Sequence, residues 1–351
     1  MRASLTRLTA VTALAGIGLL AGCGSGGSNA IPKNASPQTE FLAALENTSH
    51  TNVLTSTLKF DVTPEQLLAF AKATTAKGDD VPTAKQAQEI TDGKLVIETK
   101  SNNGKQLSSV LPGGGANIDT DISFVEGSAN DAEIRVVGST IYLRGDLKSL
   151  IALGDKPAIY DNIVAEVNKM PAFVRDFVAG KFVSIDTATL KTLAAEVGGA
   201  AGVSTPTMQQ LQDFAATLKA DIGRDVTVTK VGSDDNGDHL VLKGQSQTLV
   251  KDLLTAVAKV EPQLATKIQA DANASKVPAH TIALDAYVKD GSVSKLSLDV
   301  AQFADPGQVP ATTHVPLTMT FEQSGDDIAK PSSATPVDVS QLFSILGQLS
   351  G

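Results

Sequence analysis

The sequence predicts an α+β fold built on an antiparallel sheet with one buried face, and three observations predict it. The dipeptides Asn103-Gly104, Asn236-Gly237 and Asp290-Gly291 supply the positive φ angles that two-residue hairpin turns need. On their flanks apolar residues alternate with Lys, Asp, Ser, Thr and Glu, so each strand has one buried face and one wet face. Amphipathic helices interrupt these hairpins rather than alternating with single strands, which separates the pattern from a doubly wound α/β fold.

The chain opens with Met1 to Arg7, which carries two arginines and no acid, followed by a nearly continuous apolar run from Leu8 to Leu20. That run is shorter than the roughly 20 residues a membrane-spanning helix requires, and it fits the h-region of a signal peptide. Leu20-Ala21-Gly22-Cys23 follows, with small residues before the only cysteine of the chain. This resembles the bacterial lipobox, in which the signal is cut before a diacylated cysteine. An acylated sulfur also removes the liability of an exposed thiol in an oxidising compartment. Residues 1–22 are therefore read as a lipoprotein signal peptide and Cys23 as the lipidation site, anchoring the protein on the extracytoplasmic face of the cell membrane through diacylglyceryl and palmitate-type acyl chains. Residues 23–40, rich in Gly, Ser, Asn and Pro, read as a flexible tether. Residues 41–351 form one α+β body. A second reading divides it into halves, 41–200 and 201–351, at the small-residue stretch Gly198 to Gly202.

Within the body, Thr63-Pro64-Glu65-Gln66 combines a cap, Pro at the first helical position and Gln three beyond the cap, predicting a helix that ends near Gly78. Helical patterning over 158–179 is interrupted by Pro171. Asp186 is placed to cap a helix carrying Leu190, Leu193 and Val197. Another helix opens at Thr205-Pro206, with Met208, Leu211, Ala215, Leu218 and Ile222 on one stripe, and a further one runs from about Leu249 to Glu261. Strand periodicity appears at Leu58, Phe60, Val62; at Ile118, Ile122, Phe124; at Ile282 to Val288; at Leu296, Leu298, Val300; and at Val315 to Phe321.

Composition excludes several classes of function. Hydrophobic residues make up 42% of the chain, enough for a core, so wholesale disorder is out. Nucleic-acid binding is disfavoured by a net charge of −9 and by a 4% aromatic content with no Trp. A single cysteine rules out an intramolecular disulfide and a Cys-rich metal site. The four histidines, His50, His239, His280 and His314, show no helical ligand spacing. The acidic stretch Ser233 to Asp238 lacks the Glu of a calcium loop and reads as a solvated turn. Two Ser-x-x-Lys strings, Ser56 to Lys59 and Ser292 to Lys295, fall in strands, where residues three apart point to opposite faces. No catalytic residue, cofactor or metal ligand is assigned.

Taken together, lipobox, tether and one-sided hairpins with amphipathic helices resemble the bacterial lipoproteins of the LolA and LppX/LprG-like half-barrel group. Val136 to Leu143 is similar to the family's strand and turn before its helical segment. Lys181 to Asp186 is similar to the short strand after it, with Phe182 where Trp is common, and Leu284 to Val300 followed by Val315 to Phe321 is similar to the closing strands, with Tyr287 in a frequent Trp position. The resemblance implies a curved antiparallel sheet wrapping helices and an apolar cavity for lipid acyl chains. Ile122, Phe124, Ile134, Val136, Leu284, Leu296, Leu298 and Phe321 are the candidate lining residues. Two functions follow as alternatives: binding or shuttling of lipids in the cell envelope, or a non-catalytic interaction, sensor or structural module whose core is filled. A solute-binding lipoprotein and an enzyme fit less well, for want of two α/β lobes and of any nucleophile, base and oxyanion constellation.

Overall fold

The computed structural model describes residues 31–75, 81–110, 117–127, 129–148, 164–187, 208–260 and 279–342 except 306, with the isolated positions 151, 160, 189 and 265–266. Cys23, the tether as far as residue 30 and the stretch 190–207 lie outside the described residues. The chain runs α1 (Pro37–Thr48), β1 (Val53–Phe60), α2 (Pro64–Thr74), α3 (Ala84–Asp92), β2 (Gly93–Ser101), α4 (Leu107–Val110), β3 (Ile118–Glu126), β4 (Ala129–Val137), β5 (Thr140–Gly145), α5 (Ala172–Val178) and β6 (Val183–Asp186). It continues with α6 (Met208–Asp225), β7 (Val226–Asp234), β8 (Gly237–Gln245), α7 (Ser246–Val260), β9 (Thr281–Lys289), β10 (Ser292–Asp299), β11 (Pro316–Glu322) and β12 (Thr335–Pro336).

All twelve strands join one open sheet in the order β12-β6-β5-β4-β3-β2-β1-β11-β10-β9-β8-β7. Every neighbouring pair is antiparallel except β12 with β6. Two meanders, β1 to β6 and β7 to β11, thus meet where β11 pairs with β1. The fold is α+β, a large, mostly antiparallel sheet of the half-barrel kind.

The three turn dipeptides meet three different fates. Lys289 pairs with Ser292 across Asp290-Gly291, whose φ angles of 51° and 77° are those of a two-residue primed turn. At the second, Asp234 pairs with Gly237, so Asp235-Asn236 forms the loop and Gly237 opens the next strand. The third does not close a hairpin. Asn103-Gly104 begins a connection through α4 before β3 pairs back onto β2, and Leu107 and Val110 of that connection are buried in the core. Those two apolar residues draw the chain inward, so the turn ends a strand without starting its partner.

Helix starts follow their caps. Thr63 and Gln66 form a reciprocal capping box, as do Thr83 and Gln86 at α3. The α2 helix ends at Thr74, before Gly78. At α1, Ser36 caps and Pro37 takes the first position, so the helix begins inside the stretch whose composition reads as tether. The Asp186 carboxylate accepts from the backbone N–H of Thr189 as the predicted cap requires, and the stripe Leu190, Leu193 and Val197 of the predicted helix lies outside the described residues.

One face of the sheet is apolar. Helix α1 lies across β10, β9 and β7 on this face, and Phe41 and Ala44 pack with Leu240, Leu242, Ala286, Leu296, Met319 and Phe321. The α2–α3 pair closes another part of it, packing Leu67 and Ala87 against Leu317, Val300 and Val315, with Leu58 and Phe60 partly buried alongside. A third cluster joins α6 to α7 through Phe214, Ala256 and Val257. The β9–β10 ladder shifts register between Val293 and Lys295, and just before that bulge the Val293 N–H donates to Thr48 Oγ1, docking α1 on the strand.

The opposite face is polar and is crossed by an extended strap, residues 323–334. Thr55 Oγ1 of β1 donates to the Ser324 carbonyl at 2.7 Å, Lys100 of β2 pairs with Asp327, and Arg135 Nη1 of β4 donates to the Ala329 carbonyl at 2.6 Å. The strap delivers β12 to the far edge, where the Thr335 N–H donates to the Phe182 carbonyl. Below it, Glu133 is 2% exposed and forms ion pairs with Arg135 and Arg144, both of which stand over the Phe182 ring.

Candidate functional site

Strand register places all eight candidate lining residues on the apolar face. One row of directly opposed residues reads Leu296, Met319, Leu58, Leu95, Phe124. A second reads Phe321, Ser56, Ile97, Ile122, Ile134, Leu143, Val183. Val136 stands beside Ile134 with the same parity, and Leu284 and Leu298 oppose each other on β9 and β10.

Covering helices divide this face in two. On the β7–β11 side Leu296 and Phe321 are buried beneath α1, and Leu284 packs partly buried against the same cluster. On the β2–β5 side Ile97, Ile122, Phe124, Val136, Ile141 and Leu143 are only half-buried, and Ile134, near the middle of its row, is 44% exposed. Among the described residues, a run of aliphatic side chains that is sealed at one end of the sheet is therefore only partly covered at the other. Lone apolar residues at a surface mean little, but a contiguous row of them marks a contact face for something apolar.

Polar clusters lie elsewhere. A cleft of about 650 Å³ opens between residues 31–37, the Asp290-Gly291 turn and the Lys230–Asp238 pair. Glu40 of α1 faces it, nearly buried; burial pushes its carboxyl above the ordinary range, with the Asp238 carboxylate adding to the effect. Hydrogen bonds from Lys230 and Ser233 hold Asp238 below that range. The two shifts act on stability with opposite signs. Asp238 contributes stability that is present above about pH 4 and lost as pH falls through its lowered folded pKa, whereas Glu40 contributes stability present below that value and lost as pH rises through its raised folded pKa. Asp238→Asn is thus expected to lower the urea midpoint at neutral pH, and Glu40→Gln to leave it unchanged or raise it, with the gain shrinking toward acid pH. Urea titrations across the acid range check both.

Three carboxylates, Asp221, Asp225 and Asp252, gather between α6 and α7 with ligand atoms within 4.8 Å of one another. Arg224 pairs with all three, at 2.9, 2.5 and 3.4 Å, so a guanidinium already stands where a cation would sit. Desolvation raises the Asp252 carboxyl. His239, stacked on Tyr287 at 4.6 Å and bonded to Asp285, belongs to the polar face, with Lys295 against the other side of the ring system. Ser56 and Lys59 alternate to opposite faces of β1. No helix among the described residues is long and apolar enough to cross a membrane.

No known protein family and no curated protein matches the chain. Among solved structures it is similar to LprF from Mycobacterium bovis, with 9% identity, a TM-score of 0.34, and coverage of 85% of this chain and 97% of that one. It is also similar to the lipoprotein LppX of Mycobacterium tuberculosis, with 8% identity, a TM-score of 0.31, and coverage of 84% and 98%.

Proposed function

We propose that this protein is a lipid-anchored envelope lipoprotein, acylated at Cys23, that binds lipid acyl chains on the open half of its apolar face and performs no catalysis. The half-exposed aliphatic row from Ile97 through Ile122 and Ile134 to Leu143 carries this reading. From β2 to β5 that row extends over about 14 Å at the usual strand spacing, the scale of a long stretch of a fatty acyl chain. Its composition suits such a ligand: no charged residue stands in the row, and the shortage of aromatic rings leaves Leu, Ile, Val and Phe to make the contacts. The charged residues flanking the row on these strands, Glu98, Asp121, Glu133, Arg135 and Arg144, point to the other face.

The test is mass spectrometry of organic extracts from the purified body lacking residues 1–23. Stoichiometric lipid is expected, and Ile134→Asp is expected to abolish it while costing about 1 kcal/mol of stability, since the side chain is 44% exposed on a strand. Clean extracts from the unaltered protein would refute ligand binding. Separately, Cys23→Ala is expected to move the protein from the membrane fraction to the medium; unchanged partitioning would refute the anchor alone.

A further inference from the structure

Asn103-Gly104 has the sequence signature of a hairpin and does not form one, and its geometry serves a different chemistry. We propose that Asn103 is a site of spontaneous backbone-assisted deamidation, with water as co-reactant, and that Asn236, the other Asn-Gly pair among the described residues, is protected by the fold.

At Asn103 the side-chain carbonyl oxygen accepts two hydrogen bonds, from Ser101 Oγ at 2.7 Å and from the backbone N–H of Lys105 at 3.1 Å. The second closes a ring that contains both Asn103 Cγ and the Gly104 nitrogen. Both donors stand where negative charge develops when that nitrogen attacks, the arrangement that stabilises an oxyanion. Ser101 is 2% exposed, so its hydroxyl is held in place, whereas Asn103 itself is exposed and open to water. Gly104 sits at φ +71° with nothing within 4 Å of where a Cβ would be, so its amide is free of steric cover on that side.

The step balances without any further reagent. The Gly104 nitrogen yields its proton to solvent base and bonds to Asn103 Cγ. The Cγ–Nδ2 bond then breaks as the nitrogen takes a proton back from solvent, and it leaves as ammonia. Water adds to one of the two carbonyls of the succinimide, opening it to aspartate or isoaspartate.

At Asn236 the same attack is blocked. Its backbone carbonyl accepts from Ser294 Oγ at 2.8 Å, which clamps the peptide whose nitrogen would have to turn. Gly237 is packed so closely that a Cβ would lie 2.2 Å from the Val288 carbonyl oxygen. The nitrogen is thereby fixed within the sheet.

The experiment incubates the purified full-length protein at mildly alkaline pH and follows the two Asn-Gly peptides by digestion and mass spectrometry. Asn103 is expected to convert to a mixture of aspartate and isoaspartate on the order of tenfold faster than Asn236, the rate equivalent of one well-placed hydrogen bond. In concentrated urea the two rates should converge, because the difference resides in the fold. Ser101→Ala should slow conversion at Asn103 and leave Asn236 unchanged. Equal rates in the folded protein, or faster conversion at Asn236, would overturn the proposal.

Discussion

Replacing Glu133 with alanine is expected to cost about 3 kcal/mol of stability, the effect of breaking a buried ion-pair group from its centre. Glu133 is enclosed between Arg135 and Arg144, which oppose it from its own strand and from β5. Removing the carboxylate leaves two guanidinium groups stacked over Phe182, with Asp121 as their remaining ion-pair partner among the described residues. Arg144→Met should cost far less, about 1 kcal/mol, because Arg144 is one-third exposed and Glu133 keeps Arg135. The loss should also spread along the strap, since Arg135 holds the Ala329 carbonyl. Urea denaturation at constant m-value reads the cost, and hydrogen exchange at the Thr335 and Val337 amides reads loosening of β12. A Glu133→Ala midpoint equal to that of Arg144→Met would show that the group does not act as a unit.

The same strap shows where sequence reasoning stops. Residues 323–334, mostly small and polar with three Ser, two Asp, a Gly and a Pro, have the composition of a loop, and their order comes from side chains of β1, β2 and β4 more than 190 positions earlier. Helix α1 is hidden in the sequence for a related reason. Ser36-Pro37 is a sound start signal, but it stands in a Gly/Ser/Pro-rich context, and the helix's apolar stripe is worth its ordering entropy only once strands β7 to β10 are beneath it. By contrast the β9–β10 hairpin and α2 were legible, because Asp290-Gly291 and the Thr63–Gln66 box each determine geometry within four residues. The candidate site divides along the same line. Alternation fixes which face a side chain takes, so all eight lining candidates were placed on one face. Whether that face is then covered depends on where a distant helix lands, and so Phe321 is sealed while Ile134 stands open.

Gly237→Ala is expected to be the most damaging small substitution on the surface of the sheet, at about 4 kcal/mol. Two costs combine: a φ of +116° is a conformation only glycine adopts without strain, and the new methyl group would lie 2.2 Å from the Val288 carbonyl oxygen and 2.6 Å from its carbon. Neither neighbour is a flexible side-chain end, so relief requires moving backbone. Val288 cannot retreat freely, because its side chain belongs to the core cluster beneath α1 and its partner Val293 is the residue whose amide docks that helix. The strain must therefore either lift the β7–β8 hairpin from β9 or loosen α1. Gly104→Ala provides the control: it places alanine at a positive φ of +71° with open space around it, and should cost about 1 kcal/mol. Comparing the two urea midpoints separates conformational strain from close approach. Exchange of the β8–β9 ladder amides identifies which element yields, and equal costs for the two glycines would mean that Val288 does not crowd Gly237 in solution.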